Sequence, residues 1–414
     1  MWRDGRMSVS SRYKGYKSFS YLTPDLDYQV FELEGELDRV PPYDLGLTSE
    51  EAARAEQMLA SSVVISLHEH PLVYPRRIAE TAEYYRTGRA HTGFEGLAHS
   101  GMTAVFDNML DGTACVTGNA PWRWDDIITD LGMRQSDIAH QDFVTVGRSV
   151  ADILAAHEQG QLALVFGLEA ATPIENELDR IEILYGLGVR QLGITYSQSN
   201  ALGAGIDDAS SVGLTGFGRR AVERMNKIGM AIDVSHASDQ TGIDTCEVST
   251  KPVLVTHAGA RSIWDIPRLK SDELLTAVAG TGGVIGISAA AHTTISANHR
   301  THNLESYMDH FSYCVDLIGK EHVAFGPDTI FADHVGLHKL FTKWLFKRVD
   351  GPGRHADLQG REYEPVEYVA GLESPTENFR NIIGWLVKHG WSDDDIQAVV
   401  GGNIIRALTE IWGA

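Results

Sequence analysis

The stretch "VVISLHEHPL", residues 63 to 72, runs from β-branched apolar residues straight into His68-Glu69-His70. Residues i and i+2 of an extended chain point the same way, so His68 and His70 can present two imidazole nitrogens to one cation. The pattern of an apolar run ending in a potential ligand recurs. Glu169 closes "FGLEA", His236 "DVSH", His257 "VTH" and Asp328 "FGPD". Zinc takes His and carboxylate ligands, and a catalytic site keeps one position open for water. A carboxylate between two ions can bridge them, giving a two-metal site that activates a hydroxide. An Asp beside it can then accept that hydroxide's proton. Taken singly, a His after a strand is usually a cap or core residue, Glu169 a salt-bridge partner and Asp328 a turn residue. Together they are four histidines and two acids, all at strand ends. His99, His140, His299 and His355 are read as ordinary capping or core residues, and His292 as a pocket residue.

Those six residues need a scaffold that brings strand ends together. Runs rich in Val, Ile, Leu and Gly recur: "VVISL", "GMTAVF", "LALVFGL", "RQLGIT", "MAIDVS", "PVLVT", "GVIGIS" and "HVAFGP". Helical stretches such as "VGRSVADILAAHEQG", "ELDRIEILYGLG" and "TGFGRRAVERMNKIG" separate several of them, each ending at a Gly suited to a helix C-cap. Near-continuous apolar strands alternating with amphipathic helices predict a parallel sheet covered on both faces. Eight such strands predict an α/β fold, a (β/α)8 TIM-like barrel, whose chemistry sits at the C-terminal strand ends. An open doubly wound sheet is the alternative, but no Gly-rich phosphate turn follows the first strand. Residues 1–45 read as an irregular N-terminal arm, packed on the body or on another subunit, and 46–414 as the barrel domain. A helix is expected to start at Thr48 or Ser49, with acids in its first turn. Residues 343–375 are polar and broken by Gly and Pro, and read as a long loop after strand 8 over the barrel mouth.

A formal net charge of −21 makes nucleic acid or an anionic membrane surface an unexpected partner. The acid excess reads mainly as solvated surface, with attraction of cationic substrates as the minor alternative. Cys115, Cys246 and Cys314 are far apart and odd in number, so no disulfide framework is implied and a reducing compartment fits. There is no 18-residue apolar run. The opening "MWRDGRMSVSSRYKGYKSFSY" has no apolar h-region, so a signal peptide is not expected and a cytoplasmic enzyme is.

The motifs resemble the membrane (renal) dipeptidase family, peptidase family M19, among the amidohydrolase-like metal-dependent hydrolases. The resemblance runs over roughly residues 60 to 412. It is most specific in "LYGLGVRQLGITYSQSN", "GLTGFGRRAVERMNKIGMAIDVSHASDQT", "KPVLVTHAGARSI", "HVAFGPD" and "GWSDDDIQAVVGGNIIRAL". It implies two divalent metal ions, with zinc expected. His68 and His70 would serve the first ion, Glu169 would bridge, and His236 and His257 would serve the second. It further implies that Asp328 handles the proton of a bridging hydroxide and that Arg268 grips a substrate carboxylate through its planar fork. The chain also departs from the family. His70 stands where an Asp is common, and Tyr196 stands where a His contacts the scissile carbonyl. The family's tyrosine beyond strand 7 falls near His292 or Thr293. Only the first Asp of the turn after strand 8 survives, in "PDTIFAD". The expectation is therefore a binuclear hydrolase cleaving an amide of a small carboxylate-bearing molecule, a dipeptide by default, with a homodimer as a family-level expectation. A specialised hydrolase of a non-peptide amide, lactam or ester is the alternative among enzymes. A non-catalytic binding protein on a degenerate barrel is the alternative outside them.

Overall fold

All eight apolar runs become strands in the computed structural model, which describes residues 8–108, 123–208, 212–346 and 363–413. The strands are β1 (Ile65–Glu69), β2 (Ala104–Asn108), β3 (Leu162–Leu168), β4 (Val189–Gly193), β5 (Ala231–Asp233), β6 (Val253–Ala258), β7 (Val284–Ile287) and β8 (Val323–Phe325). Each pairs in parallel with the next. The ring is bridged just past the ends of β8 and β1. There the Asp328 N–H donates to the His68 carbonyl at 2.9 Å and the His70 N–H to the Thr329 carbonyl at 3.0 Å. A short strand, Val144–Val146, pairs with the start of β3, and Leu72–Val73 forms a small hairpin with His91–Thr92.

Local chemistry sets the helix ends. Thr48 caps the helix Ser49–Ser61 through a capping box with Glu51, matching the expected start. The helices Val150–Gln159 and Gly216–Ile228 end at Gly160 and Gly229 in left-handed conformation, where a side chain would be strained. The helix Asn403–Trp412 has another task. Its Ile404, Ala407, Leu408 and Ile411 pack with Ile65, Ala104, Ala163, Ala231, Leu254, Val284 and Ala324. Those seven are first or second residues of seven strands, so this helix plugs the N-terminal end of the barrel. The polar chemistry is left to the opposite end.

Of the arm, residues 8–45 lie against the body. Asp137 accepts hydrogen bonds from the Tyr16 hydroxyl (2.7 Å), the Ser18 hydroxyl (2.5 Å) and the Phe19 N–H (2.8 Å). Arg39 pairs with buried Glu373, which also accepts the His334 N–H at 3.1 Å. The expected loop from 343 to 375 needs correction at its start, because the helix His334–Phe346 carries the chain into it. Residues 347–362, His355 among them, and Cys115 lie outside the described residues. Beyond them the segment returns to the barrel through bridges of Glu364 to Thr301 and of Ala370 to Asn303. No helix among the described residues is long and apolar enough to cross a membrane.

Candidate metal centre

The C-terminal strand ends bring six predicted residues into one buried cluster. His68 and His257 are fully buried, and His236, Glu169 and Asp328 are 2%, 4% and 8% exposed. The His70 side chain is 11% exposed. His68 lies within β1 and His257 within β6, while the others stand just past their strands.

Glu169 occupies the middle. Its Oε1 is 3.2 Å from His70 Nε2 and 3.8 Å from His68 Nε2. Its Oε2 is 3.1 Å from His236 Nε2 and 3.9 Å from His257 Nε2. The imidazoles of each pair also face one another, at 3.3 Å for His68 and His70 and at 3.0 Å for His236 and His257. Two ligands bound tetrahedrally to zinc at its usual bond length stand roughly 3.3 Å apart. These donors therefore already have the spacing of a coordination shell. His68, His70 and Glu169 could hold one cation, and Glu169, His236 and His257 another. Asp328 Oδ1 sits on the first group, 3.4 Å from His68 Nε2 and 3.2 Å from His70 Nε2.

The electrostatics point the same way. Burial pushes the Glu169 carboxyl up, but the facing imidazoles of His236, His70 and His68 outweigh it and hold the group well below the usual carboxylate range. Burial likewise works against Asp328, and the neighbouring imidazoles of His257, His68 and His70 again win. Two carboxyl groups thus share one dry centre, and their negative charge calls for a positive partner there. Buried charges of this kind are paired or bind metals, and a divalent cation supplies the charge without protonating ligands. For His257 the opposite holds, since burial and the neighbouring His68 and Arg268 charges push its imidazole well below the ordinary value, towards the neutral form that can ligate.

A second layer aims these side chains. The His70 Nδ1 lies 2.9 Å from the Asn108 carbonyl, an acceptor, so it carries the proton and Nε2 presents a lone pair. The Thr256 hydroxyl is 2.8 Å from His257 Nδ1, and the Ser197 hydroxyl 3.4 Å from His236 Nδ1. Glu69, between the two histidines, points away from the centre. It accepts the Thr329 N–H and hydroxyl, both at 2.7 Å, and an Asn378 amide hydrogen at 3.2 Å. That grip holds the residue after Asp328, whose own φ of +65° is costly for a non-glycine. Sequence reasoning passed over Asn108, Thr256 and Glu69. The signal for Asn108 was present in "FDN", a polar pair ending strand 2 at the level of His68.

The remaining predicted residues surround the cluster. The Tyr196 ring stacks on His236, with centroids 4.2 Å apart and planes at 17°. Arg268 is 8% exposed, and its guanidinium donates to two backbone carbonyls, Ser235 at 3.1 Å and His257 at 2.8 Å. It therefore ties together the strand ends that carry His236 and His257. His292 has φ +63° and is engaged elsewhere. Its N–H donates to His302 Nδ1 at 2.8 Å, and its Nε2 accepts the Val366 N–H at 3.2 Å, fastening the returning segment to the mouth.

Comparison with known proteins bears on the family and the fold. The family model described as membrane dipeptidase (peptidase family M19) matches residues 52–351. Dipeptidase 3 of Rattus norvegicus is 27% identical over 257 residues, which is 61% of this chain and 45% of that protein. The chain thus spans less than half the length of that relative. Among solved structures, an amidohydrolase from Pseudomonas aeruginosa aligns with a TM-score of 0.69 at 25% identity, covering 87% of this chain and 99% of that one. A metallo peptidase from Rhodobacter sphaeroides, liganded with a phosphinate mimic of the dipeptide L-Ala-D-Ala, aligns with a TM-score of 0.63 at 18% identity, covering 85% and 100%. On the fold, the strand-end cluster and the extent of the family match, this chain belongs to the membrane dipeptidase family, peptidase family M19.

Proposed function

We propose that the chain is a binuclear metal-dependent hydrolase of the amide bond in a small carboxylate-bearing substrate, with a dipeptide as the default. One observation carries the reading: the two oxygens of Glu169 face two separate imidazole pairs. His68, His70 and Glu169 would hold one divalent ion, and Glu169, His236 and His257 the other, with zinc the ion best suited to such donors. When bound, such ions lower the pKa of water and polarise a carbonyl. The protein's own groups do the rest. Asp328, ionised and facing His68 and His70, accepts the proton of the attacking water and passes it to the leaving amine. The Tyr196 hydroxyl donates a hydrogen bond to the carbonyl oxygen as charge develops there. The guanidinium hydrogens of Arg268 beyond those given to Ser235 and His257 grip the substrate carboxylate. The dipeptide-mimic ligand of the Rhodobacter sphaeroides relative supports a dipeptide-sized substrate.

A second reading has its own support. Arg268 is already committed to two carbonyls, and Tyr196 and His292 depart from the family's pocket. These features favour a non-peptide amide, lactam or ester without a free carboxylate. Turnover of L,L- and L,D-dipeptides against N-acyl amino acids and simple amides, with metal added, separates the two. Faster turnover of a neutral amide than of any dipeptide overturns the first. Free Cys246 and Cys314 support a reducing compartment such as the cytoplasm, and a homodimer is carried over from the family resemblance alone. The arm at 1–45 and the domain at 46–414 are proposed as the working division of the chain.

A further inference from the structure

Two carboxamides lie buried in the barrel beneath the centre. Asn108 closes β2, Gln191 lies in β4, and both are fully buried. Between them on β3 is Gly167, where an added Cβ would collide with both Asn108 Oδ1 and Gln191 Oε1. The two amides therefore meet over the bare backbone of one glycine. Three of their atoms have no hydrogen-bond partner among the described residues: Asn108 Oδ1, Gln191 Oε1 and Gln191 Nε2. Burying a polar atom without a partner is costly, so three at one spot call for an explanation.

The fourth atom supplies it. Asn108 Nδ2 faces His68 Nδ1 at 2.9 Å. If nitrogen faces this ring, His68 Nδ1 must accept, and the ring proton sits on Nε2. That proton would point into the centre, towards His70 Nε2 at 3.3 Å and Asp328 at 3.4 Å, where a ligand needs a lone pair. Turning the amide by 180° leaves its shape unchanged and reverses the logic. Oδ1 then accepts from His68 Nδ1–H, and the Nε2 lone pair faces the centre. The same turn carries the amide nitrogen to the side where Gln191 Oε1 waits for a donor. The rotation gives up a 3.4 Å contact of Asn108 Nδ2 with the Phe106 carbonyl, gives the orphaned Oδ1 a donor in His68, aims the amide nitrogen at Gln191 Oε1 and makes His68 competent as a ligand.

We propose that Asn108 and Gln191 act as a positioning pair: Gln191 selects the orientation of the Asn108 amide, and Asn108 fixes the His68 tautomer. The proposal rests on the metal-centre reading above. With its backbone carbonyl on His70, Asn108 would set the tautomers of both histidines of the first group, and strands 2 and 4 would serve the centre without supplying a ligand.

The test is metal affinity, measured by chelator competition and by the visible absorption of bound Co²⁺. Asn108→Leu removes the acceptor and keeps the size. It should weaken the first ion's affinity by roughly 10- to 100-fold, the range for groups that orient a metal's ligands, and leave the second ion's unchanged. Asn108→Asp, which retains an acceptor oxygen, should bring the first ion back to within a few-fold of wild type. Gln191→Met should weaken the first ion less, by several-fold. Should Asn108→Leu fail to fold, Asn108→Ser, too short to reach His68, is expected to show the same loss. Unchanged affinity in Asn108→Leu, or equal loss at both ions, overturns the pairing while the metal centre stands. A wild-type protein that binds neither Zn²⁺ nor Co²⁺ overturns both.

Discussion

Replacing Arg268 by Ala separates two jobs that the structure loads onto one side chain. The first is structural. Arg268 donates to the carbonyls of Ser235 (3.1 Å) and His257 (2.8 Å) in a site where it is only 8% exposed. Each bond from a charged donor is worth about 1.5–3 kcal/mol. Losing both should lower unfolding free energy by about 3–6 kcal/mol, read from denaturant midpoints. Any resulting shift of His236 and His257 slows every substrate by the same factor. The second job is the proposed carboxylate clamp, which acts only on a free acid. Its loss should cost about 2–4 kcal/mol in kcat/KM, or roughly 30- to 1000-fold. The assay is steady-state kinetics of wild type and variant on a dipeptide and its C-terminal amide. The common loss reports the structural job, and the ratio of the two losses isolates the clamp. A ratio near one would refute the clamp and favour the substrate without a carboxylate.

Other substitutions probe the centre and its surroundings. Glu169→Gln replaces one oxygen that faces an imidazole pair with an amide nitrogen. Breaking a buried charge partnership costs about 3–5 kcal/mol, so elemental analysis after dialysis should find both ions depleted, whereas His236→Ala should mainly deplete the second. Full metal at both sites in Glu169→Gln would remove the bridging role. Asp328→Asn should keep fold and metal and lose turnover by roughly 10²-fold or more; near-normal turnover would route the proton elsewhere. His310 is buried with both nitrogens used, Nδ1 accepting the Ala260 N–H and Nε2 facing the Ile295 carbonyl, and burial pushes its pKa down to about 4. A folded pKa below the unfolded value of about 6.5 gives stability that is present above pH 6.5 and lost as pH falls towards 4. The loss should be roughly 3 kcal/mol. His310→Gln should flatten that decline in thermal melts; an unchanged slope would assign it to other groups.

The barrel was legible because each strand is a short apolar run with a turn residue after it, and because helices such as Gly216–Ile228 carry their own caps. Two-residue strands such as Leu72–Val73 have no periodicity to read. The helix Asn403–Trp412 shows an apolar face in sequence, but nothing there says that it closes the barrel floor. The helix His334–Phe346 ran past the point where polar residues suggested a loop, since composition marks a helix end poorly without a cap. In the site, the ligand-type residues stood out because His, Glu and Asp at strand ends are chemically conspicuous. The residues that aim them did not. Asn108 and Thr256 were passed over as strand residues, and Arg268, singled out only as a carboxylate grip, also reaches backbone carbonyls, which no side-chain pattern announces.

The account turns on whether this centre hydrolyses an amide and needs two ions to do so. Stripping the protein with a chelator and restoring Zn²⁺ in steps, while following cleavage of L,L- and L,D-dipeptides, tests both at once. Activity should be absent in the stripped protein, rise with added zinc and level off at two equivalents per chain. Full turnover without metal, or no cleavage of any dipeptide at saturating metal, would contradict it.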